Sequence, residues 1–228
     1  MINHLFLRFI ARLFRILAWP FVRWEFRGGA CIGDRDGWIF SANHRSVFDF
    51  AHAVVALAHF GKDARIMIAS EFWDMPVYKW GVWAINAIPV YRTTDPRGAF
   101  QAAITALEDQ DSICIMPEGR LRWDPDHPLK LGRLKSGVSR MAVGANAPIM
   151  PIALVGGERV WIRGLKFPRL RLRRQVVLCR VADEPLWLSG EDHRANCDKL
   201  REVQESLLRQ ATADLRALDP SYLPAVTP

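Results

Sequence analysis

Residues 37–60, GWIFSANHRSVFDFAHAVVALAHF, hold the pattern that decides the fold. The first seven, GWIFSAN, read as a short buried strand that ends just before His44. The Ala-rich remainder reads as a helix from about Ser46, stopped by Gly61. A strand passing straight into a helix is the repeating step of an α/β sheet. The polar residues caught at the switch, His44 and Asp49 among them, sit at a strand end, where such folds gather function.

The same step recurs along the chain. ARIMIAS (64–70), AIPVYR (87–92), SICIMP (112–117) and APIMPIALV (147–155) are apolar runs of strand length. Helical stretches separate them: an aromatic one at EFWDMPVYKWGVWAIN (71–86), PRGAFQAAITALEDQ (96–110) with proline at its start, and KSGVSRMAVGAN (135–146). A basic, hairpin-like stretch, RLRLRRQVVLCRV (169–181), and a polar helix over roughly 191–217 complete the chain. No repeat, low-complexity tract or linker interrupts it. The expected fold class is α/β, a mixed central sheet flanked by helices, with an N-terminal amphipathic helix at a membrane interface. Residues 1–28 are expected to form that arm and residues 29–228 the body.

The chain has 228 residues, half of them hydrophobic, and a formal charge of +7 from 31 Lys+Arg against 24 Asp+Glu. The excess is concentrated. Residues 1–28 carry Arg8, Arg12, Arg15, Arg23 and Arg27 against Glu25 alone, and RGLKFPRLRLRR (163–174) has six basic residues and no acid. Such patches suit an anionic surface, and nine Trp favour phospholipid over nucleic acid, for which no recognised module is present. The N-terminal helix is too interrupted to span a bilayer: Arg8, Arg12 and Arg15, with His4, form one polar stripe, and each central Arg costs about 2.5–3.5 kcal/mol on insertion. It is expected to lie in the interface, ended by Pro20, which makes the protein peripheral or monotopic. Four cysteines without metal-ligand spacing imply free thiols in a reducing compartment.

On one continuous helix, residues five apart point about 140° away from each other. His44 and Asp49 can meet only if His44 sits on the loop and Asp49 in the first or second turn of the helix, with Ser46 as a plausible N-cap. Asp49 would then hold one ring nitrogen and leave the other basic. Taken alone, the pair reads more readily as a charge near a helix N-terminus beside a strand-end histidine. The three-residue spacing from Asp49 to His52 leaves a metal-assisted hydrolase open as well. No Gly-x-Ser-x-Gly elbow or phosphate loop with Lys-Ser/Thr occurs, so a base here would activate a substrate hydroxyl. In CIMPEGRLR (114–122), Gly119 permits close backbone approach, Arg120 and Arg122 offer cations to a phosphate, and Glu118 would hold an arginine or hydroxyl. Arg92 and Lys135 could add charge to the same pocket.

In this order and spacing the blocks resemble the phospholipid/glycerol acyltransferase family, the lysophosphatidic acid acyltransferase-like proteins. NHRSVFD (43–49) looks like the family's His-x4-Asp block and NAIPVYR (86–92) like its strand ending in Arg. MPEGRLR (116–122) looks like the Phe-Pro-Glu-Gly-Thr-Arg block, APIMPIAL (147–154) like the Val-Pro-Ile-Val-Pro-Val strand, and LKSGVSRMA (134–142) like the Lys-x-Gly helix. Two blocks depart from the pattern: Asn86-Ala87 stand where glycine is usual, and Arg120-Leu121-Arg122 replace Thr-Arg-Ser. The resemblance implies transfer of a fatty acyl group from acyl-CoA or acyl-carrier protein to a lysophospholipid or glycerol-phosphate-like hydroxyl, without metal or other cofactor. His44 would be the general base, Asp49 its orienting partner, and Arg92, Glu118, Gly119, Arg120, Arg122 and Lys135 the acceptor site. It places the enzyme on the cytoplasmic face of a membrane. A catalytically drifted peripheral lipid-binding protein is the alternative.

Overall fold

The structure is a computed structural model that describes residues 2–222 apart from 93, 122–125, 162–163, 166 and 170–172. The apolar runs form five strands: β2 (Ile39–Ala42), β3 (Arg65–Ala69), β4 (Ile88–Val90), β5 (Ile113–Ile115) and β6 (Ile149–Val155). With β1 (Val22–Arg27) and β7 (Gln175–Val181) they make one seven-stranded sheet in the order β1-β7-β6-β2-β5-β3-β4. Strands β6, β2, β5, β3 and β4 are parallel, joined by crossover helices. β7 runs antiparallel to β6, and β1 runs parallel to β7, so the sheet is mixed, as expected.

Two strands at one edge differ from the sequence-based expectation. Of the stretch 169–181, residues 170–172 lie outside the described ones, and the described part forms one strand, β7, whose partner on the outer side is β1. Residues 22–27 thus join the main sheet from within the stretch 1–28. Residues 22–27, VRWEFR, alternate apolar and charged: Val22, Trp24 and Phe26 turn toward the helices, while Arg23 and Arg27 pair with Glu25 at 2.7 and 3.4 Å on the other face. The period-two pattern of a strand was hidden inside a stretch dominated by arginine.

The helices cover both faces. α1 (Ile2–Ala18), α2 (Asp49–His59) and α3 (Pro76–Ala84) share one hydrophobic cluster with Phe40, Cys114 and Met150. α4 (Pro96–Glu108) and α5 (Gly137–Gly144) pack with Ile39, Ile113 and Ile149 in a second. α7 (His193–Leu218) lies along β6 and β7. A short helix not foreseen from the sequence, α6 (Gly157–Val160), follows β6 through Gly156, where φ is +88° and a Cβ would meet the Val176 carbonyl oxygen at 2.4 Å.

α2 is enclosed almost completely, between the sheet and α1, and its small residues allow that close approach. α1 presents two apolar faces. Leu7 and Ala11 are buried against the body, whereas Leu5, Phe9, Leu13, Ile16 and Leu17 form an exposed stripe. Arg8 bridges to Asp63 at 3.5 Å. Among the described residues, no helix is long and apolar enough to cross a membrane.

Candidate active site

The site begins where β2 leaves the sheet. Asn43 prolongs the β2–β6 ladder with its side chain: Nδ2 donates to the Leu154 carbonyl at 2.9 Å, and Oδ1 accepts the Leu154 N–H at 2.7 Å. The chain then turns through residues 44–48 into α2. Asp49 is the first residue of that helix, and its buried carboxylate folds back over the loop. One oxygen, Oδ2, accepts the Arg45 N–H at 2.6 Å and the Ser46 N–H at 2.8 Å, and lies 3.2 Å from His44 Nδ1. His44 thus sits before the helix and Asp49 in its first turn, the arrangement that lets them meet.

Ser46 is not the N-cap. Its Oγ donates to the Trp161 carbonyl at 2.7 Å and accepts the Phe48 N–H at 2.9 Å, because Asp49 already takes the loop's other donors. Gly157 closes the far side: an added Cβ would stand 3.0 Å from Asp49 Oδ1 and 3.3 Å from Ser46 Oγ. With Nδ1–H directed at a buried carboxylate, Nε2 carries the lone pair, and the His44 side chain keeps 26% of its surface open to solvent.

Glu118, from the turn after β5, is buried, and its carboxylate reaches main chain rather than solvent. Oε1 accepts the His44 N–H at 3.1 Å and Oε2 the Gly132 N–H at 2.9 Å. Burial pushes its carboxyl above the ordinary range, opposed by those two N–H donors and by the charges of Arg45 and His44. Glu118 is therefore an anchor for the His44 backbone. Gly119 has φ +68°, and its N–H closes the turn on the Met116 carbonyl at 3.0 Å. A Cβ there would meet the Lys135 stem at ordinary contact distance, 3.5 Å from Cγ and 3.8 Å from Cε, so backbone conformation, not lack of room, calls for glycine. Lys135 donates its N–H to the Pro117 carbonyl at 2.8 Å, which lays its stem across the same turn.

These residues lie together at the C-terminal ends of adjacent parallel strands β2 and β5, where α/β folds place their ligands. Arg120 is exposed on the Gly119 turn. Arg92, also exposed, follows β4, three strands from β2, which is about 14 Å across the sheet. Arg122 lies outside the described residues. His52 does not join the dyad: its buried ring packs on Trp24 at 5.7 Å and beside Phe48 at 6.5 Å, and burial lowers it to about 4. Among the described residues, no group of three His, Cys, Asp or Glu is placed to hold a metal ion.

Asn43, Arg45 and Glu158 are buried polar residues of this region that the sequence reasoning passed over. Arg45 is only 3% exposed, and Glu158, two glycines after the wholly apolar β6, is 7% exposed. A carboxylate at the end of a fully buried strand was the available clue.

Two relatives are similar to the chain in sequence and one solved structure in fold. The chloroplastic 1-acyl-sn-glycerol-3-phosphate acyltransferases BAT2 of Brassica napus and LPAT1 of Arabidopsis thaliana are each 24% identical to the chain over 164 residues, 70% of its length. The match spans a little under half of each relative, 45% and 44%. The 1-acyl-sn-glycerophosphate (LPA) acyltransferase PlsC from Thermotoga maritima superposes with a TM-score of 0.69 at 20% identity, over 95% of this chain and 81% of that one. That likeness is one of fold. The family model described as Acyltransferase matches residues 23–155, which include His44, Asp49, Glu118 and β6. On that match, over more than half of its length, the chain belongs to the acyltransferase family.

Proposed function

We propose that the protein moves a fatty acyl group from the thioester of acyl-CoA or acyl-carrier protein to a hydroxyl of a lysophospholipid or glycerol-phosphate-like acceptor. The observation that carries this is the 3.2 Å approach of His44 Nδ1 to a carboxylate that also holds the two following N–H groups. Nε2 takes the acceptor's hydroxyl proton as its oxygen attacks the thioester carbonyl, and Asp49 stabilises the imidazolium that forms. Collapse of the tetrahedral intermediate expels the thiolate, which His44 reprotonates. The thioester is already activated, so the reading calls for no metal or other cofactor. Glu118 positions His44, while Lys135, Arg120 and Arg92 supply positive charge along the sheet end for the phosphates of acceptor or donor.

The same reading sets the protein on the cytoplasmic face of a membrane. Support comes from the exposed apolar stripe of α1 and from the cleft at its foot, lined by Arg15, Trp19, Arg23 and Arg174.

The test is thiol release from palmitoyl-CoA with lysophosphatidate and a panel of other lysolipids in vesicles. His44→Ala is expected to lower kcat by about 10²–10⁴. Undiminished transfer by that variant refutes the assignment. Vesicle binding without turnover on any acceptor supports the drifted lipid-binding alternative.

A further inference from the structure

The cleft at the foot of α1 has a volume of about 580 Å³ and is built from three segments. Arg15, Ile16 and Trp19 come from the end of α1 and the turn after it, Arg23, Trp24 and Glu25 from β1, and Arg174 directly precedes β7. Arg174 is held in place. Its Nη2 and Nε donate to the Val22 carbonyl at 2.9 and 3.3 Å, and its guanidinium lies over the Trp19 ring, 5.3 Å from the centroid. Those bonds leave Nη1 for an acceptor in the cleft.

The charges do not cancel. Glu25 is the one acid of the lining, and it already holds Arg23 at 2.7 Å and Arg27 at 3.4 Å. Arg15 and Arg174 make no ion pair among the described residues. Beside these cations runs the exposed apolar stripe of α1, with Leu13 and Leu17 next to Ile16 on the helix surface. A pre-set guanidinium, a second arginine and an adjoining apolar stripe together suit a phosphate that carries acyl chains.

The cleft also has a fixed relation to the dyad. β1 and β7 run antiparallel to β6 and β2, so their N-terminal ends lie at the end of the sheet where β2 finishes. The cleft and the His44 loop therefore share one end of the sheet, three strands or about 14 Å apart. Trp24 forms the wall between them. It lines the cleft and stacks on Phe48 at 5.4 Å, and Phe48 directly precedes Asp49. Behind that wall Phe48 packs in a buried cluster with Val22, Val160 and Val177.

We propose that this cleft binds the phosphate of an anionic glycerophospholipid of the bilayer, whose chains run beside Leu13 and Ile16, and so turns the His44 end of the sheet toward the lipid surface. This rests on the reading that the protein works at a membrane. The lipid held here is a bilayer component and not the reacting acceptor, because the cleft stands three strands from β2. Inorganic phosphate and the phosphates of CoA share the anionic chemistry; the apolar stripe favours the lipid.

The experiment uses the full chain and two readouts. The first is the NMR signal of the Trp19 indole N–H, assigned by its loss in Trp19→Phe, during titration with dihexanoyl-phosphatidylglycerol below its micelle concentration. A saturable shift is expected, at least tenfold weaker with dihexanoyl-phosphatidylcholine and lost in Arg15→Gln/Arg174→Gln. If inorganic phosphate or CoA moves the signal at concentrations as low, the lipid assignment is overturned.

The second readout is co-sedimentation with vesicles of phosphatidylcholine alone or with one third phosphatidylglycerol. Arg15→Gln/Arg174→Gln should weaken binding to the anionic vesicles about tenfold or more. Arg97→Gln/Arg140→Gln removes the same charge from exposed positions on α4 and α5, which cover the other face, and should stay within about threefold. Equal losses in the two pairs mean net charge alone and overturn the proposal. Should Arg174→Gln not fold, undiminished binding by Arg15→Gln overturns it instead. If the wild-type protein binds both kinds of vesicle equally, this inference fails and the membrane reading stands. If it binds neither, both fail.

Discussion

Asp49→Asn isolates what the dyad contributes. The carboxylate accepts three donors through Oδ2 at 2.6, 2.8 and 3.2 Å. An asparagine oxygen can keep the two backbone bonds, so the loop should hold its course. What is lost is the charge opposite the imidazolium. At 3.2 Å and an effective dielectric of 20, that attraction is about 5 kcal/mol, and solvent reaching the partly open His44 ring reduces it to about 3–5 kcal/mol. At about 1.4 kcal/mol per decade, kcat should fall about 10²–10⁴-fold, with KM within about threefold. Initial rates of thiol release across lysolipid concentrations measure both, and a melting curve checks the fold. A variant that melts normally and keeps more than about a tenth of wild-type kcat would sink the claim that Asp49 acts through charge.

Three further outcomes follow from the packing. His52 is buried and lowered from 6.5 to about 4, so the native state resists a proton that the unfolded chain accepts. Stability should fall as pH drops from 6.5 toward 4, by about 2–3 kcal/mol, and then level off; urea midpoints at pH 7 and 4.5 should converge in His52→Leu. Gly156→Ala places a Cβ 2.4 Å from the Val176 carbonyl oxygen at φ +88°, and should cost about 3 kcal/mol or more by urea unfolding. Replacing exposed Phe9 and Leu13 by Glu should weaken binding to anionic vesicles by about 10²-fold in a sedimentation assay, while the melting temperature changes by only a degree or two.

The interior of the sheet was legible because its strands are continuous apolar runs, which is how parallel strands covered on both faces must read. Its rim was not. In VRWEFR the strand signal competes with three charges that pair with one another only after folding. α6 is a single turn, too short for any periodicity. At the site, the His44–Asp49 geometry followed from helix angles alone. The assignment of Ser46 as N-cap failed because capping depends on which acceptor reaches the loop first, and Asp49 Oδ2 does. Arg45 went unnoticed for a related reason: a cation in a loop reads as solvated until the fold buries it, and here it is only 3% exposed.

The pairing of β1 with β7 also sets a timetable. Val22 finds its partner in Gln175, so the first strand to leave the ribosome has nowhere to dock until about 150 residues more have followed it. For all of that interval α1 precedes an unpaired edge, with α2, the helix that covers Leu7 and Ala11, still unsupported by a finished sheet. A nascent chain in this state displays both greasy sides of its first helix, and a lipid surface is a ready shelter for them. The membrane binding proposed above would then begin during the chain's synthesis.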